Sequence, residues 1–406
     1  MRPASFEEHL INQRFLGAAA LAATLAAGGA APAAEAPQAG SIKAIARNAI
    51  GQYHLKAIIV RVTMSGRDIY TGAFGESMTG VPVTPEMHFR NGAMAFTYMA
   101  TALLELVDQN KVRLDEKLER FLPSLPYGSR ITLRNLANMT SGYADYVYQP
   151  EVLHEVGLNP FRHWTSDELT LIGVRKPMMF APGTNWGYSH TNYVILGRVI
   201  EKITGMRLAD ALQRYVMGPM RLTQTRSFDT PEIPAPVLHT YSSERRSDLQ
   251  IPANVPFYEE STFWDPSWRT ANGAVQITSI SDMTRSMELV GSGALLTRAS
   301  FAAQVRPNLV GFGHTDPKCP PCRRNTAETN YGLGVVNLGP WVTQIKSFAG
   351  CGGTVGYLPS RKLAIAVVTT YLPAAFDSKG DYPNVSQTVF ASLANLLAPG
   401  TLPRLP

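Results

Sequence analysis

From residue 93 to residue 107 nearly every position is apolar or small, with no Pro and no Gly, which predicts one long helix apolar around most of its circumference. A helix of that kind belongs inside a domain. Gly92 stands at its entrance, where the backbone turns sharply and the first helix N–H groups lack partners. Upstream, residues 56–64 form a β-branched run, 65–67 a turn and 68–74 a returning strand, the opening hairpin of an antiparallel sheet. Downstream, residues 331–337, 343–348 and 362–370 read as strands, and 385–397 as a closing helix. Between them, shorter helices are expected at 208–216 and from 283 to about 290, while Pro231, Pro234, Pro236, Pro252 and Pro256 break any longer element. Strands at both ends with helices between them predict an α/β (α+β) unit. It is an antiparallel sheet flanked by helices, with an inserted, mostly helical lobe. The expected partition of a single domain over residues 45–398 is a sheet lobe from 45–92 and 330–398 and a helical lobe over about 93–329.

Composition changes this picture only at the N-terminus. Residues 15–34 are almost entirely Ala, Leu and Gly, follow Arg14, and end in Ala31-Pro32-Ala33-Ala34. Residues 1–34 therefore read as a signal peptide, with the mature protein exported to a periplasmic or extracellular setting. The alternative is an uncleaved leader, which supplies the only membrane contact expected. The net charge of +6 is spread along the chain, and Arg245-Arg246 and Arg323-Arg324 are only pairs. No basic cluster interleaved with aromatics appears, so nucleic acid is excluded as a partner. Of three cysteines, Cys319 and Cys322 flank two prolines without the strand-then-helix setting of a redox motif. A zinc site needs two further ligands at suitable spacing, and none is nearby, so no metal is expected. In an exported protein a local Cys319–Cys322 disulfide is favoured over free thiols, which leaves Cys351 unpaired. No cofactor is expected either.

Candidate chemistry comes from a set of ordered motifs. Phe89-Arg90 and Gly92, then a small residue, then Ala100 and Leu103-Leu104-Glu105-Leu106-Val107, resemble the nucleophile helix of the serine β-lactamase and penicillin-binding protein family. The branch most similar is that of class C β-lactamases, D-aminopeptidases and esterases. Thr140-Ser141-Gly142 closes a second similar stretch. The run from Pro182-Gly183-Thr184 through Tyr188-Ser189-His190 to Gly205 follows the family over 24 residues. Most of its positions are equally explained by a turn at Gly183, a buried helix face at Val194, Leu196 and Val199, and a helix end at Gly205. The resemblance runs from about residue 45 to 398, and implies the β-lactamase/transpeptidase-like fold.

What the resemblance implies for chemistry is a set of substitutions. The family's helix begins Ser-x-x-Lys, with Ser as acyl-accepting nucleophile and Lys as its proton acceptor. Those two positions fall on Ala93 and Phe96. The family's Tyr-x-Asn becomes Tyr188 and His190, and the cation of its third motif falls on Gly350 within residues 349–357, followed by Cys351. No Lys in the chain has a Ser three residues before it; Thr315/Lys318 and Thr343/Lys346 have that spacing, but Pro317 breaks the first and the second reads as strand. Without an ammonium nearby, a Tyr188 phenol of ordinary pKa about 10 keeps its proton at neutral pH.

Two functional readings follow. In the first, acyl transfer is lost and the chain acts as a non-catalytic envelope binding protein for a peptidoglycan-like peptide, an ester or another envelope small molecule. In the second it is a hydrolase of esterase, D-peptidase or β-lactamase type with a non-standard nucleophile: Cys351 as thiol and His190 on the facing wall as its base, with Tyr188 as a further member of the site. Against this stands the ordinary role of a buried cysteine as inert packing. Tyr143, Trp186, Gly352 and Gly353 are expected to border the ligand groove, although the two aromatics serve equally well as packing under long loops.

Overall fold

The computed structural model describes residues 38–228, 230–306 and 309–403. The leader expected over residues 1–34 lies outside the described residues. In chain order the main sheet contains β1 (Leu55–Met64), β2 (Arg67–Met78), β3 (Val81–Pro82), β4 (Thr329–Tyr331), β5 (Val336–Leu338), β6 (Trp341–Phe348), β7 (Cys351–Leu358) and β8 (Leu363–Tyr371). Their spatial order is β3-β2-β1-β8-β7-β6-β5-β4, and all neighbours are antiparallel. The first strand thus lies beside the last. Pairs such as Ile59 with Val368 and Val60 with Val367 close the sheet across 300 residues of intervening chain.

Period-two alternation explains why these strands are central. Ala57 and Ile59 of β1, with Ala364, Ala366 and Val368 of β8, enter one core, while Ile58, Val60 and Val62, with Leu363, Ile365 and Val367, enter the other. The second core is covered by α1 (Ala39–Gln52) and α5 (Val385–Leu397). Over the first lie α2 (Met94–Asp108), α3 (His190–Thr204) and α4 (Ile280–Ser292). This is the α+β arrangement expected from the sequence. Helix α2 is buried along nearly its whole length, as its all-round apolar composition requires. Its lower end is fixed where the Asp108 carboxylate accepts from Thr297 N and Ser300 Oγ at 2.8 and 2.6 Å.

Several elements differ from expectation. The single strand expected over 331–337 is two, β4 and β5, because Gly334 (φ +70°) turns between them against α2. A Cβ there would lie 2.5 Å from the Phe96 carbonyl, and the Gly334 carbonyl instead accepts from Thr97 Oγ1 at 2.6 Å. The helix expected over 208–216 is helical for Leu208–Leu212 and then widens into a π-turn over Gln213–Met217. Helix α1 and the helices Pro150–Leu158, Ser166–Arg175 and Arg298–Val305 were not foreseen. Among the described residues, no helix is long and apolar enough to cross a membrane.

Candidate functional site

The entrance of α2 is built rigidly. Asn91 exchanges bonds with Gln276: its Nδ2 donates to Gln276 Oε1 at 2.6 Å, and its Oδ1 accepts from Gln276 N at 3.1 Å. Gly92 follows with φ +58°, its Cα facing Lys346 of β6 so closely that a Cβ would lie 2.5 Å from Lys346 Cβ. Ala93 then takes the N-cap position with no side chain able to cap, and its methyl lines a cleft of about 410 Å³. That volume lies within the range of small-molecule sites, roughly 300–1,000 Å³. Phe96, one turn further, lines the same cleft and is only 2% exposed, stacked on Tyr193 at 4.2 Å, tilted against Tyr188 at 6.0 Å and T-shaped to His190 at 5.6 Å.

The opposite wall comes from the start of α3 and from the loop before Pro150–Leu158. His190 is the first residue of α3, and its Nδ1 lies 2.8 Å from Asp145 Oδ2. Both are buried, and the other Asp145 oxygen accepts from Val147 N at 3.0 Å. The two segments are stitched by Thr191, whose Oγ1 donates to Ala144 O at 2.6 Å and accepts from Tyr146 N at 3.2 Å. Tyr188 and Tyr148 set their rings edge-on to the imidazole at 5.2 and 6.3 Å. Although part of the Tyr188 ring opens to the cleft, its phenol is set deep enough that burial pushes its pKa well above the ordinary value, with Tyr331 and Asp145 adding to the effect. It is a proton donor, not a phenolate base.

Charge in the cleft is one-sided. Arg90, Arg269 and Arg323 line it, and among the described residues no Asp or Glu does. Among the described residues none of these three guanidiniums forms an ion pair with a carboxylate, whereas Arg162, Arg198 and Arg245 each do. Arg90 is 5% exposed; its Nη2 donates to Pro231 O at 2.5 Å, its Nε has no partner, and burial lowers its pKa to about 10 against the opposing pull of Asp265. Arg269 donates to Ser347 O at 2.7 Å, and Arg323 rests 4.6 Å above the Trp186 ring. Cys319 and Cys322 are bonded to each other just before Arg323, and Cys322 bridges to Gly187, which ties this loop to the wall carrying Tyr188. Strand β6 pairs with β5 only as far as Thr343, so Gln344 to Phe348 have no strand neighbour on that side. Gln344, Ile345, Ser347 and Phe348 line the cleft along this free edge.

Several expected site residues lie elsewhere. Strand β6, not residues 349–357, faces the entrance of α2: Ala349 and Gly350 form the turn after it, both with positive φ, and Gly350 packs on the Tyr241 carbonyl. Gly352 and Gly353, expected in the groove, are buried in β7, the first against Asn384, Tyr371 and Thr369, the second against the Lys346 stem. Tyr143 is also buried, its hydroxyl donating to Pro126 O. Trp186 is fully buried behind the wall, under Arg323 and against Tyr331. Neither aromatic lines the cleft; both are packing. Cys351 does not face His190. It lines a separate small cavity with Lys346, whose Nζ lies 2.8 Å from the thiol and 3.0 Å from Arg90 O. Lys346 is the cation beside α2 that the sequence reading passed over, because the third motif was placed on the following strand. It points away from the cleft, and the ammonium lies 4.8 Å from the Phe89 ring. The Asp145–His190 pair was missed as well. Asp145 belongs to no motif and lies 45 residues from its partner.

An antiparallel sheet whose strand edge meets the N-terminus of a buried helix, with a tyrosine on the opposite wall, defines a serine-hydrolase type of scaffold on a β-lactamase fold. The chain belongs to the Beta-lactamase family, whose model matches residues 42–390. It is 28% identical over 275 residues to penicillin-binding protein 4 of Amycolatopsis lactamdurans, covering 64% of this chain and 67% of that one. With esterase EstB of Burkholderia gladioli it shares 26% over 298 residues, covering 68% and 76%. A penicillin-binding protein of Bacillus subtilis (strain 168) is 26% identical over 200 residues, a match that spans 47% of this chain and only 42% of the relative. Among solved structures, a D-stereospecific amidohydrolase from Streptomyces sp. superposes with a TM-score of 0.71 at 22% identity, over 88% of this chain and 98% of that one. At that identity the likeness concerns the fold.

Proposed function

We propose that this protein holds a small acyl- or peptide-like molecule in its cleft without forming the acyl-enzyme of its family, and acts as a binding protein of the cell envelope. The observation that carries the reading is the pair at the entrance of α2: a methyl at Ala93 and a benzyl group at Phe96, where the family resemblance puts the reactive alcohol and amine. Loss of the nucleophile in a serine hydrolase lowers turnover on the order of 10⁶-fold, about 8 kcal/mol of barrier. Cleft hydroxyls belong to Tyr148, Tyr188, Thr270, Thr329, Tyr331 and Ser347, and no lysine lines the cleft beside them. Aromatic walls and the arginines of the cleft suit a peptide-like or ester ligand, such as a peptidoglycan-like peptide; strand-style pairing along β6 is limited, because Ser347 O already accepts from Arg269 and Ile345 N donates to Gln344 Oε1. The Ala-rich leader supports export. The test is intact-protein mass spectrometry after exposure to a fluorophosphonate and to a chromogenic cephalosporin. An unchanged mass is expected for the wild type, and an adduct on any cleft residue overturns the reading.

A second reading, hydrolysis by groups other than Ser and Lys, is favoured by one observation. The imidazole of His190 is oriented by a buried carboxylate and opens on the cleft.

A further inference from the structure

We propose that His190 is a general base that drives direct attack of water on a small ester bound in the cleft, with Asp145 as its positioning residue. The inference deepens the second reading above and needs no covalent intermediate.

The geometry is that of a base held in one tautomer. Asp145 Oδ2 accepts from Nδ1–H at 2.8 Å, so the neutral ring presents its unprotonated Nε2 elsewhere. Among the described residues no hydrogen bond to a protein group engages Nε2, and His190 lines the cleft. Ring orientation is fixed a second time by packing, since Phe96, Tyr146, Tyr148 and Tyr188 all set rings edge-on to the imidazole at 5.2 to 6.3 Å. A surface histidine that merely balances a carboxylate needs no such enclosure. His154 makes that plainer contact with Asp248 at 3.2 Å from a side chain 64% exposed, against 9% for His190.

The step balances with water as the only co-reactant. Nε2 takes a proton from water as its oxygen bonds to the ester carbonyl carbon, and the carbonyl π pair moves onto oxygen. The imidazolium that forms is stabilised by the Asp145 carboxylate. When the oxyanion collapses, the carbon–alkoxide bond breaks and the alkoxide leaves with the proton from Nε2, so the acid and the alcohol are released and His190 is neutral again. The negative charge that develops is of the sign the cleft favours, given Arg269 and Arg323, which among the described residues form no ion pair, and its protonated Tyr188. The apolar lining from Phe96, Tyr331 and Phe348 suits an ester with a short apolar acyl group.

The experiment follows release of p-nitrophenol from p-nitrophenyl acetate and p-nitrophenyl butyrate by the full chain. The wild type is expected to exceed equimolar free imidazole, and His190→Gly to lose about 10²-fold or more of kcat/KM, a typical general-base contribution. Millimolar imidazole is expected to restore part of the lost rate, which no purely structural role of His190 produces. Asp145→Asn is expected to lower kcat with little change in KM. Should His190→Gly not fold, His190→Gln with native circular dichroism gives the same comparison. A wild-type rate no higher than free imidazole, a His190 variant as fast as the wild type, or absence of imidazole rescue overturns the proposal. Those results leave the binding reading intact, whereas a stable acyl adduct in the mass spectrum overturns both.

Discussion

Phe96 is stacked on Tyr193, tilted against Tyr188 and T-shaped to His190, and almost none of its surface reaches solvent. Truncation to Ala removes that stacking and leaves a cavity beside the cleft. Phe96→Ala is expected to lower stability by about 3–5 kcal/mol in urea titrations. Ala93→Ser, at the uncapped N-cap of α2, is expected to leave stability unchanged or to raise it by up to about 1 kcal/mol. A near-neutral Phe96→Ala would show that the ring is a loose plug and not part of the core. The same residues mark how far single positions could be read in advance. Ala93 and Phe96 are spaced by one helix turn, Tyr188 and His190 by the extended Ser189 at the entrance of α3, and all four, read from the ordered motifs, line one cleft. Arg269 and Arg323 reach it from a short turn and a loop, and Asp145, from another loop, stands behind His190. Nothing in local periodicity announces which loop residue a fold will bring to which wall.

At the scale of elements, Gly92 shows why a short stretch can matter more than a long one. Its φ of +58° is one that a side chain tolerates at a cost of about 1–2 kcal/mol, and a Cβ would in addition meet Lys346 Cβ at 2.5 Å. Gly92→Ala is therefore expected to destabilise by more than the backbone cost alone, to separate α2 from β6, and to weaken any ligand held between them. A urea midpoint equal to the wild type would contradict this close approach. The Cys319–Cys322 link closes a loop with a sequence separation of 3, so its removal by reduction is expected to cost only on the order of 2 kcal/mol. Because Arg323 stacks on Trp186 just beyond it, the sensitive readout is tryptophan fluorescence, which should change under reductant before global unfolding. Strand register was the least legible feature at this scale. Residues 349–357 carry the glycines that suggested the motif, but the strand facing α2 is the one before them. Only pairings such as Lys346 with Gly353 reveal that a turn intervenes. Elements with strong periodicity fared better: α5 begins and ends where the apolar pattern does.

Over the whole molecule, the fold was legible because strands at both ends of the chain, helices between and after them, and ordered motifs resembling the family agree on one arrangement; the structure adds that β1 and β8 bury both faces, giving a sheet with helices on both sides. The helix Ser166–Arg175 begins at a Thr165/Glu168 capping box, a readable signal that its mixed apolar pattern obscured. A consequence of this packing is an unusual number of enclosed phenols. Burial is the leading cause that raises the pKa of Tyr98, Tyr146, Tyr188, Tyr193, Tyr331 and Tyr382 above the ordinary value, and it pushes Tyr371 up to about 12. The sign of the stability change follows. Up to a pH of about 10 the tyrosines are protonated in both states, and their contribution is fully present. Above it the unfolded chain releases protons that the folded chain retains, so each such tyrosine lowers the unfolding free energy by about 1.4 kcal/mol per pH unit until its folded pKa is reached. Several acting together make alkaline unfolding cooperative. Tyrosinate absorbance from these residues is therefore expected to rise together with the loss of circular dichroism in a titration from pH 9 upward. If most of the phenols ionise while the dichroism is still native, the enclosure of the wall that carries Tyr188 and His190 is disproved.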